Sequence, residues 1–179
     1  MIDPAVPAVL RGALALLFAS AAVHKLRDLP AFRVALEAYE LLPGPLTRLG
    51  APALVAAELG TVVLLLSPAA RPWGFAAAGL LLAVYTAAIG VNLLRGRLGI
   101  DCGCFGPALR LELSAGLLAR NALLLAGALV GCLPPTPRPL AGPDALPVLA
   151  AVGFLALAYA AASRLLANAP ALRPLRSEP

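Results

Sequence analysis

Five apolar stretches, each about 20 residues long, the length needed to cross a bilayer as a helix, follow one another along this chain at residues 5–23, 46–66, 73–94, 113–133 and 145–166. In lipid every backbone N–H and C=O must be bonded within its own helix or within a closed barrel. The stretches are built mainly from Ala and Leu, good helix formers, and lack the alternating ten-residue pattern of barrel strands. Hydrophobic residues make up 61% of the chain and charged residues 13%, with a mean hydropathy of +0.90. These values exclude an ordinary soluble domain. The expected fold is an all-α integral membrane protein, a bundle of about five transmembrane helices consisting of a four-helix core plus a C-terminal helix.

The connections refine this picture. Residues 28–42 open with Asp28-Leu29-Pro30, the proline suited to a first helical turn, and repeat Phe32, Leu36 and Tyr39 at helical spacing opposite Arg33, Glu37 and Glu40. That pattern predicts a short interfacial helix after the first span. Ala19-Ser20-Ala21 resembles a signal-peptide cleavage site. A cleaved signal carries its positive charge before the apolar core, whereas here Arg11 follows Pro7 and His24-Lys25 follow the core. The first helix is therefore expected to be retained. The expected organisation is a four-helix membrane domain over residues 1–133, a proline-rich linker over 134–144, a fifth transmembrane helix over 145–167, and a disordered tail over 168–179 with Pro170, Pro174 and Pro179.

The net charge is +5. Basic residues lie at helix ends and form no stripe with interleaved aromatics, which argues for membrane topology and against nucleic acid. One face collects Lys25, Arg27, Arg33, Arg48, Arg95, Arg97, Arg110, Arg164, Arg173 and Arg176, and the other Arg11, Arg71 and Arg138. This bias places the C-terminus, and with it the loop at residues 95–112, on the cytoplasmic side of a cell (inner or plasma) membrane. A re-entrant loop in place of one span would reverse the assignment.

That loop contains Cys102-Gly103-Cys104-Phe105-Gly106, the one place where the sequence gathers reactive chemistry. Thiolates are both nucleophiles and soft-metal ligands, so nearby positive charge matters. Arg95, Arg97 and Arg110 flank the motif, and Arg120 lies within the fourth span, where a charged residue is expected to face the bundle interior. Glu58, Asn92, Arg120 and Asn121 are candidates for one polar patch, whose structural version is a Glu58–Arg120 ion pair. His24 is a candidate ligand or proton carrier, and Lys25 either supports the site or snorkels to the interface. Cys132 falls at the far end of the fourth span, about 18 Å beyond Arg120, and reads as a packing residue.

A Cys-x-Cys disulfide closes a small constrained ring, which favours easy reduction and suits an exchange couple. Gly103 and Gly106 permit the backbone angles such a turn needs. Three functions remain open: thiol–disulfide exchange by Cys102 and Cys104; a soft-metal carrier or transporter with the same two residues as ligands; and a non-catalytic membrane assembly factor. Exchange requires a thioredoxin-like or disulfide-containing protein partner or a membrane quinone. No quinone site can be read from the sequence, since Trp73, Phe75 and Tyr85 are explained as lipid anchors and packing.

Taken together, His24-Lys25, Tyr39-Glu40-Leu41-Leu42-Pro43, Glu58 in Ala-Glu-Leu-Gly, Asn92-Leu93-Leu94-Arg95-Gly96-Arg97, the Cys-Gly-Cys-Phe-Gly block and Arg120-Asn121 resemble the MauE family of methylamine-utilisation membrane proteins, within the wider DoxX-like group. The resemblance covers residues 10–130, and the cysteine block after Asn-Leu-Leu-Arg-Gly-Arg is its specific part. It implies a multi-pass membrane protein of methylamine metabolism that assists processing, export or maturation of the disulfide-rich small subunit of methylamine dehydrogenase. Carried over by position, the active pair is Cys102 and Cys104, supported by Gly103, Phe105, Gly106, Arg95, Arg120, Asn121, Asn92, Glu58 and Lys25.

Overall fold

The apolar stretches fold as helices, and the polar and proline-rich intervals set their ends. The computed structural model describes residues 1–41, 43–97, 99–103 and 111–172, with side chains through residue 169. Its helices are α1 (Ala5–Arg27), α2 (Leu29–Ala38), α3 (Gly44–Leu66), α4 (Arg71–Leu94), α5 (Ala115–Gly131) and α6 (Gly142–Leu172). Among the described residues the only β pairings are isolated bridges, Ile2 with Pro135 and Asp101 with Glu112.

Helix α1 packs on α3 and α5, and α4 packs on α3 and α5, so these four close into a ring; α6 lies outside it against α1. Leu14 and Phe18 of α1, Leu65 of α3, Phe75 and Leu82 of α4 and Ala128 of α5 meet in the ring's core. The short helix α2 starts where expected: Asp28 caps it by accepting a hydrogen bond from the Ala31 N–H at 3.0 Å, and Pro30 occupies its first turn. It packs mainly on α3. Arg11, unusual so early in an apolar helix, donates from Nε to the Leu65 carbonyl at 2.7 Å and from Nη2 to that of Leu66 at 3.2 Å. It thereby satisfies the orphan carbonyls at the end of α3.

Two expected boundaries change. The fourth span, expected over 113–133, is the 17-residue helix α5, about 25 Å long at the helical rise. Four helices, α1, α3, α4 and α6, are long and apolar enough to cross a membrane, and α5 is shorter. The cause is local. Leu111 and Leu113 are buried in extended backbone, with the Cys102 N–H bonded to the Leu111 carbonyl at 2.8 Å and the Leu113 N–H to that of Ile100 at 3.0 Å. Ser114 then caps α5 by accepting from the Leu117 N–H. Apolar residues in such a buried extended pair read in sequence like the first turn of a span.

The last helix begins at Gly142 and runs to Leu172, so it takes in residues 142–144 of the expected linker and 168–172 of the expected tail. The remaining linker is tied down. The Thr136 N–H donates to the Ile2 carbonyl at 2.8 Å, and Arg138 bridges Asp3 and Asp144.

Gly74 marks the tightest backbone approach between α3 and α4. A Cβ there would lie 2.8 Å from the Leu65 nitrogen and 2.9 Å from the Leu64 carbonyl carbon, and main chain cannot swing aside. In an open helix Gly→Ala is favourable by about 1 kcal/mol. Here Gly74→Ala is expected to destabilise by about 1–3 kcal/mol, the usual cost of overpacking. A lowered thermal midpoint in detergent checks this, and a raised one contradicts it.

Candidate functional site

At the end of the bundle shared by the C-termini of α1 and α4, α2 and the start of α5, the sequence-predicted residues fall into two clusters. In the first, Lys25 of α1 is 4% exposed and Glu58 of α3 is fully buried. Lys25 Nζ pairs with Glu58 Oε1, and the Tyr85 hydroxyl of α4 donates to the same oxygen at 2.7 Å. Lys25 Nζ also lies 3.4 Å from the Tyr85 hydroxyl, 4.9 Å from the centroid of Phe32 and 5.0 Å from that of Tyr85. A cation enclosed by two aromatic faces and a carboxylate is compensated as a buried charge must be. Glu58 Oε2 has no hydrogen-bond partner among the described residues.

The second cluster holds Arg120. Its Nη1 donates to Ser163 Oγ of α6 at 3.0 Å, its Nη2 approaches Asn121 Oδ1 at 3.4 Å, and its guanidinium carbon sits 4.9 Å from the Tyr159 ring centroid. The expected Glu58–Arg120 ion pair is therefore not formed. Glu58 is taken by Lys25, and Arg120 is turned toward the outer helix. The single polar patch expected from Glu58, Asn92, Arg120 and Asn121 is split accordingly. Asn92 is buried and donates to the Ala88 carbonyl one turn back at 3.1 Å. Lys25 does not snorkel, because its amine is consumed inside the bundle. His24 is half-buried and lines a cavity with Arg120 between α1, α5 and α6.

The cysteine loop is placed by α2. Cys102 is 8% exposed and packs with Tyr39, Ile89, Leu111, Leu113 and Leu117. The Tyr39 hydroxyl lies 3.4 Å from the Cys102 carbonyl. Burial raises the Tyr39 phenol pKa, and the Asp101 carboxylate raises it further, so the phenol keeps its proton and can donate. Asp101 Oδ1 accepts from the N–H groups of Gly103 at 3.2 Å and Leu111 at 3.3 Å, fixing both sides of the loop. Gly103 has φ +69°, and a Cβ on it would come within 3.2 Å of the Ala35 Cβ and 3.4 Å of the Phe32 ring. Only glycine suits both the angle and the contact. Phe32 thus touches the loop on one side and Lys25 on the other.

Arg95 donates weakly to the Glu40 carbonyl at 3.5 Å, and Arg97 pairs with the Glu40 carboxylate at 2.5 Å. Both are tied to the end of α2. Cys104, Phe105, Gly106 and Arg110 lie outside the described residues. Cys132 corrects an expectation: it is an exposed free cysteine capping the end of α5, not a packing residue.

A cavity of about 610 Å³ joins these parts. It lies between α2, α3 and α4, and its lining includes Lys25, Phe32, Tyr39, Tyr85, Ala88 and Cys102. Sequence reading took Tyr85 as packing and Tyr39 as one position of an apolar helical face; it passed over Asp101, Tyr159 and Ser163. Tyr85 lay 27 residues from its carboxylate partner in a run of apolar neighbours, so no local pattern marked it. The acidic residue immediately before the cysteine pair was a readable signal for a loop-pinning Asp101.

The fold and site define a multi-pass helical membrane protein with a buried lysine–glutamate pair beside a cysteine loop. Residues 3–134 match the family model described as Methylamine utilisation protein MauE. The chain is 39% identical over 173 residues to the Methylamine utilization protein MauE of Paracoccus versutus, covering 96% of this chain and 92% of that one. It is 43% identical over 130 residues to the protein of that name from Paracoccus denitrificans, covering 72% and 69%. With the one from Methylorubrum extorquens it shares 39% identity over 156 residues, covering 86% and 81%. The chain belongs to the MauE family. No solved structure matches it.

Proposed function

We propose that this chain is a membrane thiol–disulfide redox protein that assists the maturation of partner proteins, with Cys102 and Cys104 as the exchanging pair. The observation that carries the reading is that Cys102 borders the same cavity as the buried Lys25. Exchange needs a thiolate to attack and a second sulfur to resolve the mixed disulfide. A positive group close to a sulfur favours its thiolate form, and Lys25 is the described cation that shares the cavity of Cys102. Arg95 and Arg120, the sequence-based candidates for that charge, are engaged with the Glu40 carbonyl and with Ser163 and Asn121 respectively. The relatives' names support a substrate within methylamine utilisation; the family resemblance implies that it is the disulfide-rich small subunit of methylamine dehydrogenase, reached directly or through a thioredoxin-like partner.

The positive-inside bias assigns the cysteine loop to the cytoplasmic face. Disulfides on that face are as a rule transient and catalytic, which suits an exchanging pair, whereas the lasting disulfides of a partner persist on the oxidising outer side, so direct oxidation of an exported subunit requires the opposite sidedness. Differential thiol labelling in intact cells tests both statements. A fraction of Cys102 and Cys104 is expected to resist a permeant maleimide until reductant is added, and an impermeant maleimide is expected to label neither until the cells are opened. Thiols that are reduced under every condition would overturn the exchange. Labelling by the impermeant reagent in reduced intact cells would overturn the sidedness.

A further inference from the structure

The cavity beside Cys102 is larger than sulfur chemistry alone requires. Its volume of about 610 Å³ falls within the ~300–1,000 Å³ typical of ligand pockets. Three features describe its occupant. The walls are aromatic and aliphatic, with Phe32, Tyr39 and Tyr85 among residues such as Leu54 and Ile89. Lining residues Ala53, Val84, Ala87 and Val91 are exposed on the α3 and α4 surfaces, so the cavity opens sideways toward lipid. Within the apolar lining stands one amine, Lys25. An ammonium has three donors; Glu58 Oε1 and the Tyr85 hydroxyl engage two, which leaves one for a carbonyl oxygen.

A flat, apolar, carbonyl-bearing molecule that enters from the bilayer and ends beside a cysteine is a prenylated quinone. Resting on the exchange reading above, we propose that this cavity is a quinone site through which the Cys102/Cys104 pair is reoxidised. In the step, the two S–H bonds of Cys102 and Cys104 break and one S–S bond forms. The two electrons and two protons released convert both quinone carbonyls to hydroxyls, and the hydroquinone returns to the membrane. Lys25 donates to the nearer carbonyl oxygen as negative charge grows there. The Glu58 oxygen without a partner among the described residues gives the buried group a proton acceptor. The regenerated disulfide can then oxidise a partner dithiol.

The test uses the full chain, purified in detergent, reduced and freed of reductant. Decylubiquinone and a short-chain menaquinone are then added separately. At least one is expected to be reduced in a ratio of one hydroquinone per chain, with matching loss of maleimide-reactive thiol at Cys102 and Cys104. Ala88→Phe places a ring in the cavity while leaving Lys25, Glu58 and the cysteines in place, and it is expected to slow quinone reduction at least about tenfold. Oxidation of the same variant by glutathione disulfide, which does not need the cavity, is expected to match wild type and shows that the variant is folded.

Quinone reduction that is equal in wild type and Ala88→Phe overturns the site. So does failure of both quinones to oxidise thiols that glutathione disulfide still oxidises, and so does a bound phospholipid that neither quinone displaces; each leaves thiol exchange standing. Thiols that no oxidant converts overturn the exchange reading itself.

Discussion

Lys25→Met is expected to destabilise the folded protein by about 3–5 kcal/mol, the cost of removing one partner from a buried ion pair. The reason lies less in the attraction lost than in what remains. Glu58 is fully buried, and without the ammonium its carboxylate would keep only the Tyr85 hydroxyl as a hydrogen-bond partner among the described residues. The pair's net worth is smaller, because both charges were desolvated to form it. Lys25→Met combined with Glu58→Gln is therefore expected to recover most of the loss, since glutamine is neutral and its oxygen can still accept from Tyr85. Thermal or denaturant unfolding of the four proteins in detergent gives the coupling directly. A double variant as unstable as the sum of the two single changes would show that the residues do not act as a pair.

This pair also marks how far the sequence could be read. The membrane class, the four-helix core with an outer fifth helix, and the short helix α2 follow from apolar length, composition and a capping pattern, all of which are local. Glu58 and Arg120 were visible as ionisable residues within apolar spans, yet their partners were not. Two charges of opposite sign inside the membrane invite pairing with each other. Lys25 sits at the end of its span, where snorkelling is the simpler expectation. What decided the matter was rotation of α1 within the ring, set by Phe18, Leu14 and Ala22 facing inward. Such rotation depends on packing between helices far apart in sequence. The same holds for Tyr39 and Phe32, whose contacts with the cysteine loop exist only because α2 folds back over α3.

Cys102→Ser and Cys104→Ser are each expected to abolish maturation of the partner protein, read as loss of the fully disulfide-bonded methylamine dehydrogenase small subunit in cells. A hydroxyl can neither attack a disulfide nor carry the second half of the exchange, so one remaining sulfur cannot complete a cycle. The two variants are expected to differ in one respect. The one that keeps the attacking sulfur should accumulate a mixed disulfide with its partner, visible as a reductant-sensitive band, and the other should not. Misfolding would not give that asymmetry. Cys132→Ser is the control, since that cysteine is free and exposed at the far end of α5, and full activity is expected. Retained maturation in both Cys102→Ser and Cys104→Ser would make the chain an assembly factor whose cysteines are incidental. Stoichiometric Cu(I) on the purified wild type, lost in both variants without any trapped partner, would instead assign the pair to metal. A trapped partner in one variant alone is a result neither alternative produces, because only an exchanging pair divides attack and resolution between two sulfurs.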